Sequence, residues 1–204
     1  MITQNPIERD FKAEMMEIMA NWNPTSEPMR LNDELRKTIL NMYERQSEIS
    51  LATVRADGWP QANVVDIWNI GLMLYFQSYE AASKARNIEQ DSRVSLTLTP
   101  SFEDFGEMQG LTMAAHAEKV TDKAEIGDLY HLFLQRVPHM QQFAEYEGDI
   151  AYPGLGMAVY RLRPVMGCVL DFTKGYGHWD YVQFSGDDFS EWETMHNSWM
   201  TRNK

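Results

Sequence analysis

Residues Ser50–Trp68, SLATVRADGWPQANVVDIW, decide the fold. From Ser50 the period changes from that of the preceding helical stretch, and Asp57-Gly58 stands between two runs of strand length. Asp-Gly supplies the positive φ angles of a tight hairpin turn, so the stretch reads as strand, turn, strand. Working outward, LMLYFQS at Leu72–Ser78 reads as a third strand, EAASKARNIEQ as a helical piece, and Val94–Leu98 as a fourth strand. GLTMAAHAEKV at Gly110–Val120 reads as a fifth. Gly156–Leu162 and Val165–Phe172 give the last two, separated by Pro164, which has no N–H for a ladder.

Helices frame these strands. Asn32 is placed to cap DELRKTILNMYERQ, whose Leu35, Ile39, Leu40 and Tyr43 form one apolar stripe. Arg9–Asn21 carries Phe11, Met15, Ile18 and Met19 at helical spacing, with NPTSEP closing it. Thr121 is expected to cap a helix bearing Glu125, Ile126, Leu129, Leu132 and Phe133, ending before Pro138. Hairpins dominate and few helices separate strands. The expected class is therefore mainly β with peripheral helices (α+β), an antiparallel sheet or barrel and not a doubly wound α/β fold. Gly154-Leu155-Gly156 neither follows a strand nor opens a helix, so it is a loop and not a dinucleotide fingerprint. No repeat, linker or low-complexity block interrupts the chain. Residues 1–204 are expected to form a single domain with an N-terminal helical extension over about residues 1–46.

Composition bounds the function. A chain of 204 residues with 44% hydrophobic and 12% aromatic content can bury a sizeable core and is far from the disordered class. The formal net charge of −12 argues against a phosphate-backbone partner, which would need clustered Lys and Arg, so no nucleic acid is expected. One cysteine, Cys168 in the apolar run VMGCVL, cannot close an intramolecular disulfide and reads as a small buried hydrophobe. The opening MITQNPIERDFK lacks the order of a secretory signal, and no run reaches the roughly 18 apolar residues of a membrane span. The expected location is the cytoplasm, with no membrane partner.

No metal is expected. His116, His131, His139, His178 and His196 show neither an H-E-x-x-H motif nor ligand spacing with Cys168 or carboxylates. No G-x-S-x-G elbow anchors a catalytic triad. The informative segment is Leu74–Leu98, LYFQSYEAASKARNIEQDSRVSLTL, where a strand ends at Gln77-Ser78 and a helix starts with Ser83 and Lys84, followed by Arg86 and Arg93, inside an otherwise acidic protein. Such a corner presents unpaired N–H groups and the positive end of a helix dipole, so hydroxyls and a lysine there suit a phosphate. A plain surface turn with a solvated lysine is the other reading.

SLATVRADGWPQANVVDIW, then LYFQSYEAASKARNIEQDSRVSLTL, then GLTMAAHAEKVTD, in that order and spacing, resemble the FMN-binding split β-barrel of the pyridoxamine 5′-phosphate oxidase-like proteins. The resemblance covers Ser50 to about Thr121 and continues more weakly through Gly156–Val182. It implies an FMN phosphate near Ser78, Ser83 and Lys84, with the ring along Asn63, Val64, Val65 and Asp66 and beside Gly110 and Leu111. It also implies a homodimer with the cofactor at the subunit interface, where Phe172, Lys174 and Trp179 of DFTKGYGHWDYV cover a flavin bound mainly by the partner. Tyr176 and His178 become candidates for substrate contact.

The chain departs from active pyridoxamine-phosphate oxidases where those carry cations. Ala62 and Asn63 stand where a strand arginine is expected, Ala82-Ser83-Lys84 replaces a Ser-Arg-Lys triplet, and GYGHWDYV replaces an arginine-rich ending. Fewer charge-assisted contacts weaken the grip on a phosphorylated substrate, which argues against pyridoxamine phosphate. The expected function is an FMN-dependent oxidoreductase acting on a small molecule. A non-catalytic flavin-binding module and a haem- or deazaflavin-binding relative are the alternatives.

Overall fold

The hairpin forms around Asp57-Gly58, with Gly58 at φ +83° and its N–H donating to the Arg55 carbonyl. The computed structural model describes Met16, residues 27–136, 145–146, 149–150 and 152–202. The expected helix at Arg9–Asn21 lies, apart from Met16, outside the described residues, as does the stretch from 137 to 144 that holds Pro138 and His139. In chain order the elements are β1 (Met29–Arg30), α1 (Asp33–Arg45), β2 (Glu48–Val54), β3 (Pro60–Asp66), β4 (Trp68–Ile70), β5 (Met73–Tyr79), α2 (Ser83–Gln90) and β6 (Arg93–Leu98). They continue with β7 (Gln109–Lys119), α3 (Lys123–Arg136), β8 (Glu145–Tyr146), β9 (Asp149–Ile150), β10 (Met157–Asp171), β11 (Trp179–Gln183) and α4 (Ser190–Arg202).

One sheet holds the barrel together, in the order β1-β11-β10-β7-β6-β2-β3, with β5 added to β10 and β4 to β5. All of its pairings are antiparallel except β1 with β11. β3 comes alongside β5 without a ladder between them, so the barrel is split there. The fold is the expected mainly-β, α+β split barrel.

Alternation explains the core. β2 buries Ile49, Leu51 and Thr53 and turns Ser50 and Val54 outward. β6 buries Val94, Leu96 and Leu98 in the same way. α1 starts at the Asn32 cap, whose Oδ1 accepts from the Leu35 N–H at 2.9 Å, and buries Leu35, Ile39, Met42 and Tyr43 on the barrel. Each such apolar side chain contributes about 1.5–3 kcal/mol. β5 is different, because Met73, Leu74, Tyr75 and Phe76 are all buried. Its outer side meets α3, where the Tyr75 hydroxyl donates to Glu125 Oε1 at 3.1 Å and Arg161 of β10 reaches the same carboxylate at 3.0 Å. Arg161 also bonds Glu118 at 2.9 Å and lies over the Trp192 ring at 4.7 Å, so a buried carboxylate holds α3, β10 and α4 together.

Three expectations change. Pro164 does not separate two strands, because β10 runs unbroken through it. The register against β7 shifts between Pro164 and Met166, so Val165 is an extra residue and the proline is absorbed at a bulge. Thr121 does not cap α3. Asp122 does, its Oδ1 accepting from the Glu125 N–H at 2.8 Å, the reach that a cap residue has to the third helical position. The aromatic ending GYGHWDYV contains a strand, β11, and the chain closes on α4, neither of which the sequence reading identified.

Candidate functional site

The turn between β5 and α2 has the features sought in the sequence. α2 begins at Ser83 after Ala82, which makes no side-chain cap, so the first N–H groups of the helix keep no side-chain acceptor. In front of them runs a chain of polar groups. Gln61 Nε2 donates to Ser83 Oγ at 2.6 Å and faces Asn63 Oδ1 at 3.3 Å. Gln61 Oε1 accepts from Asn87 Nδ2 at 3.2 Å, which also donates to Thr53 Oγ1 at 2.9 Å. β2, β3 and α2 are thus stitched into one floor. Lys84 stands half-buried beside it and makes no hydrogen bond or ion pair with its side chain among the described residues. Lone hydroxyls, a free ammonium and uncapped amides together can hold a phosphate.

Not every residue named from the sequence meets there. Ser78 is buried on β5 opposite Ala158, and its hydroxyl donates to the Tyr79 carbonyl at 3.2 Å. On β3, Asn63 and Val65 face the floor side while Val64, 72% exposed, and Asp66 point to the opposite side. Thr53, Gln61 and Asn87 were not singled out. Signals existed for two of them: Gln61 and Asn63 share a strand face at period two, and Asn87 follows Ser83 by one helical turn.

The remaining candidates gather elsewhere. Gly110 and Leu111 pair with Leu170 and Val169 at the start of β7. Phe172 is buried there against Phe105 at 5.3 Å and Tyr176 at 5.0 Å between ring centroids. Lys174 bonds Glu34 at 2.7 Å and Asp180 at 3.4 Å, and the Glu34 carboxylate holds its ammonium above the usual lysine range. His178 Nε2 faces Asp180 Oδ2 at 3.1 Å, and Trp179 packs near Tyr181 at 6.3 Å. Along β7, the Gln109–Asp171 pair lies five residues from Ala114, which leads through Ser95 to Ala52 beside the floor. That is roughly 17 Å. Within one chain the Ser83 corner and the Phe172 group therefore lie apart along the sheet, whereas Val64 of β3 shares a row with Cys168 of β10 and is set off from it by four strand spacings, roughly 19 Å.

Between them the outer sheet face carries no charge over two adjacent rows. One row runs Ala62, Ala52, Ser95, Ala114, Met166, Gln183, before Arg30 of β1 ends it, and the next runs Val64, Ser50, Thr97, Thr112, Cys168, Tyr181. Arg93, His116 and Arg163 border the first row, while Glu48 and Asp66 border the second. Cys168 lies half-buried in this face, and burial pushes its thiol up, with Asp180 adding to the effect. Among the described residues no group of three or more His, Cys, Asp and Glu side chains could hold a metal ion, and no helix is long and apolar enough to cross a membrane.

The family model described as pyridoxamine 5′-phosphate oxidase matches residues 31–151, which includes every element from α1 to β9. The chain belongs to the pyridoxamine 5′-phosphate oxidase family. Among curated proteins none matches the sequence. Solved structures share the fold. A heme binding protein from Mycobacterium smegmatis superposes with a TM-score of 0.61 at 21% identity, over 78% of this chain and 61% of that one. ChuZ from Campylobacter jejuni gives 0.59 at 12% identity, over 76% and 61%. Rv2991 from Mycobacterium tuberculosis, a conserved hypothetical protein, gives 0.57 at 18% identity, over 75% and 95%. At these identities the likeness is one of fold.

Proposed function

We propose that this chain is an FMN-dependent oxidoreductase acting on a small molecule, with the FMN phosphate at the start of α2. The observation that carries it is the uncapped helix start next to an unpaired Lys84, fronted by the Ser83–Gln61–Asn63 floor. Lys84, Ser83 and the first N–H groups of α2 would hold the phosphate, and the ring would pass the β3 edge to lie on its Val64 side, the side of the charge-free rows. Ser78 enters this grip only if its hydroxyl leaves the Tyr79 carbonyl. Bound there, FMN supplies hydride and electron transfer, and the chain supplies orientation and a dry surface.

The second half of the proposal is a homodimer. The charge-free rows form a flat face of small, hydroxyl and apolar side chains, which is the composition that association favours. A two-fold axis across it sets the Arg93–Arg163 border of one copy against the Glu48–Asp66 border of the other. It also lets Phe172, Lys174 and Trp179 of one copy approach the flavin of the other, which the four strand spacings between β3 and β10, roughly 19 Å, do not favour within one chain. Tyr176 and His178, the latter oriented by Asp180, would then face the substrate.

Haem is the competing ligand. The fold likeness to the Mycobacterium smegmatis protein supports it, as does His116, exposed at the border of the face with Nδ1 near Ser92 Oγ at 3.1 Å. The visible spectrum of the purified protein separates the two. Paired flavin bands, bleached by NADH or NADPH and restored by air, are expected. A single intense Soret band would transfer the site to haem, and flavin bands inert to both donors would leave a binding module without turnover.

A further inference from the structure

Beside the phosphate corner, Ser83, Arg86, Asn87 and Gln90 share one face of α2, following the i, i+3, i+4, i+7 spacing. That face forms a wall of a cavity of about 540 Å³, and Gln61 of β3 with Arg55 of the hairpin turn line it from across. Its volume falls among those of small-ligand sites, about 300–1,000 Å³. The chemistry runs against the rest of the chain. In a protein of formal net charge −12, two arginines line this cavity and Asp57 is the one carboxylate on the lining.

That carboxylate pairs with Arg55 at 2.7 Å with both side chains about half-exposed, a contact that solvent weakens and a ligand anion can replace. Arg86 makes no hydrogen bond or ion pair with its side chain among the described residues. The floor is already fixed: Asn87 is buried and bonded to Thr53 and Gln61, and the Ser83 hydroxyl accepts from Gln61. Lys84 and Ser78 are not on this lining.

We propose that this cavity binds a second phosphate-bearing group, next to the FMN phosphate, with Arg86 and Arg55 as its clamp. Planar guanidinium forks match phosphate oxygens two at a time, which a lone lysine does not. Only the word "second" rests on the FMN reading; the clamp is made of the chain's own residues. The group belongs either to a diphosphate extension of the flavin or to a separate phosphorylated co-substrate.

Calorimetric titration with inorganic pyrophosphate at fixed ionic strength, on the protein with and without saturating FMN, tests the clamp. Saturable binding is expected in both, weakened roughly tenfold or more in Arg86→Gln and in Arg55→Gln, the size of a lost charge-assisted contact. No saturable binding, displacement by FMN, or equal binding in both arginine variants would overturn the proposal. Both arginines are exposed, so the variants fold, and an unchanged melting temperature verifies it. FAD displacing pyrophosphate together with bound FMN assigns the group to the cofactor. ADP displacing pyrophosphate while FMN stays bound assigns it to a separate ligand. A protein that takes up no flavin yet binds pyrophosphate through Arg86 would reject the FMN reading and keep the clamp.

Discussion

At the scale of single residues, the buried Glu125 carboxylate is held by partners and not by solvent. Glu125 is 2% exposed and its carboxylate is shared by Arg161 and the Tyr75 hydroxyl. Glu125→Ala strands the Arg161 guanidinium, which keeps only Glu118 and the Trp192 ring, and is expected to cost about 3 kcal/mol. Urea unfolding measures this, and a loss below about 0.5 kcal/mol would mean that the network contributes little. Burial also pushes the Tyr75 phenol well above its usual value, with Glu125 adding to it. The sign is that of a raised group: the contribution is complete below about pH 10 and is lost at higher pH. An exposed case runs the other way. Hydrogen bonds from the Arg93 side chain and backbone hold Asp91 down at about 2. Its contribution is present above the ordinary 3.8 and disappears as pH falls toward 2. A carboxyl NMR titration of Asp91 with a midpoint at or above 3.8 would contradict this pairing.

At the scale of elements, the hairpin depends on one backbone angle. Gly58 sits at φ +83° with nothing within 4 Å of where a Cβ would stand, so Gly58→Ala introduces backbone strain without a clash. An expected loss of about 1–2 kcal/mol, measured by thermal or urea unfolding, follows from that strain. An unchanged stability would show that the turn relaxes. Features of this local kind were legible in the sequence: the Asp57-Gly58 turn, the Asn32 cap and the alternation of β2 and β6 are each written within a few residues. What escaped depends on neighbours distant in the chain. Pro164 reads as a break because the sequence does not display β7, against which the bulge at Val165 absorbs it. β11 is short and lies in a glycine- and aromatic-rich stretch, and it becomes a strand because β10 and β1 flank it. The site divides in the same way. Ser83, Lys84 and Arg86 were visible at a strand-to-helix corner, whereas Gln61 and Asn87 join them when the hairpin folds back over α2.

At the scale of the whole molecule, the proposed function needs two copies of the chain. The charge-free rows place Thr97 beside Ser50 and Thr112 at their centre, so Thr97→Glu buries an unpaired carboxylate in the pairing without touching the core. Sedimentation velocity is expected to show a dimer for the parent protein at micromolar concentration and a folded monomer for the variant. A parent protein that sediments as a monomer would remove the shared site. The central claim is the phosphate grip at the start of α2, and a flavin-fluorescence titration of FMN into the flavin-free protein and its Lys84→Ala variant tests it most directly. One FMN per chain is expected, with the variant weaker by about 1.5–3 kcal/mol, the range for a hydrogen bond to a charged group. Identical titration curves for the two proteins, or no uptake by either, would contradict it.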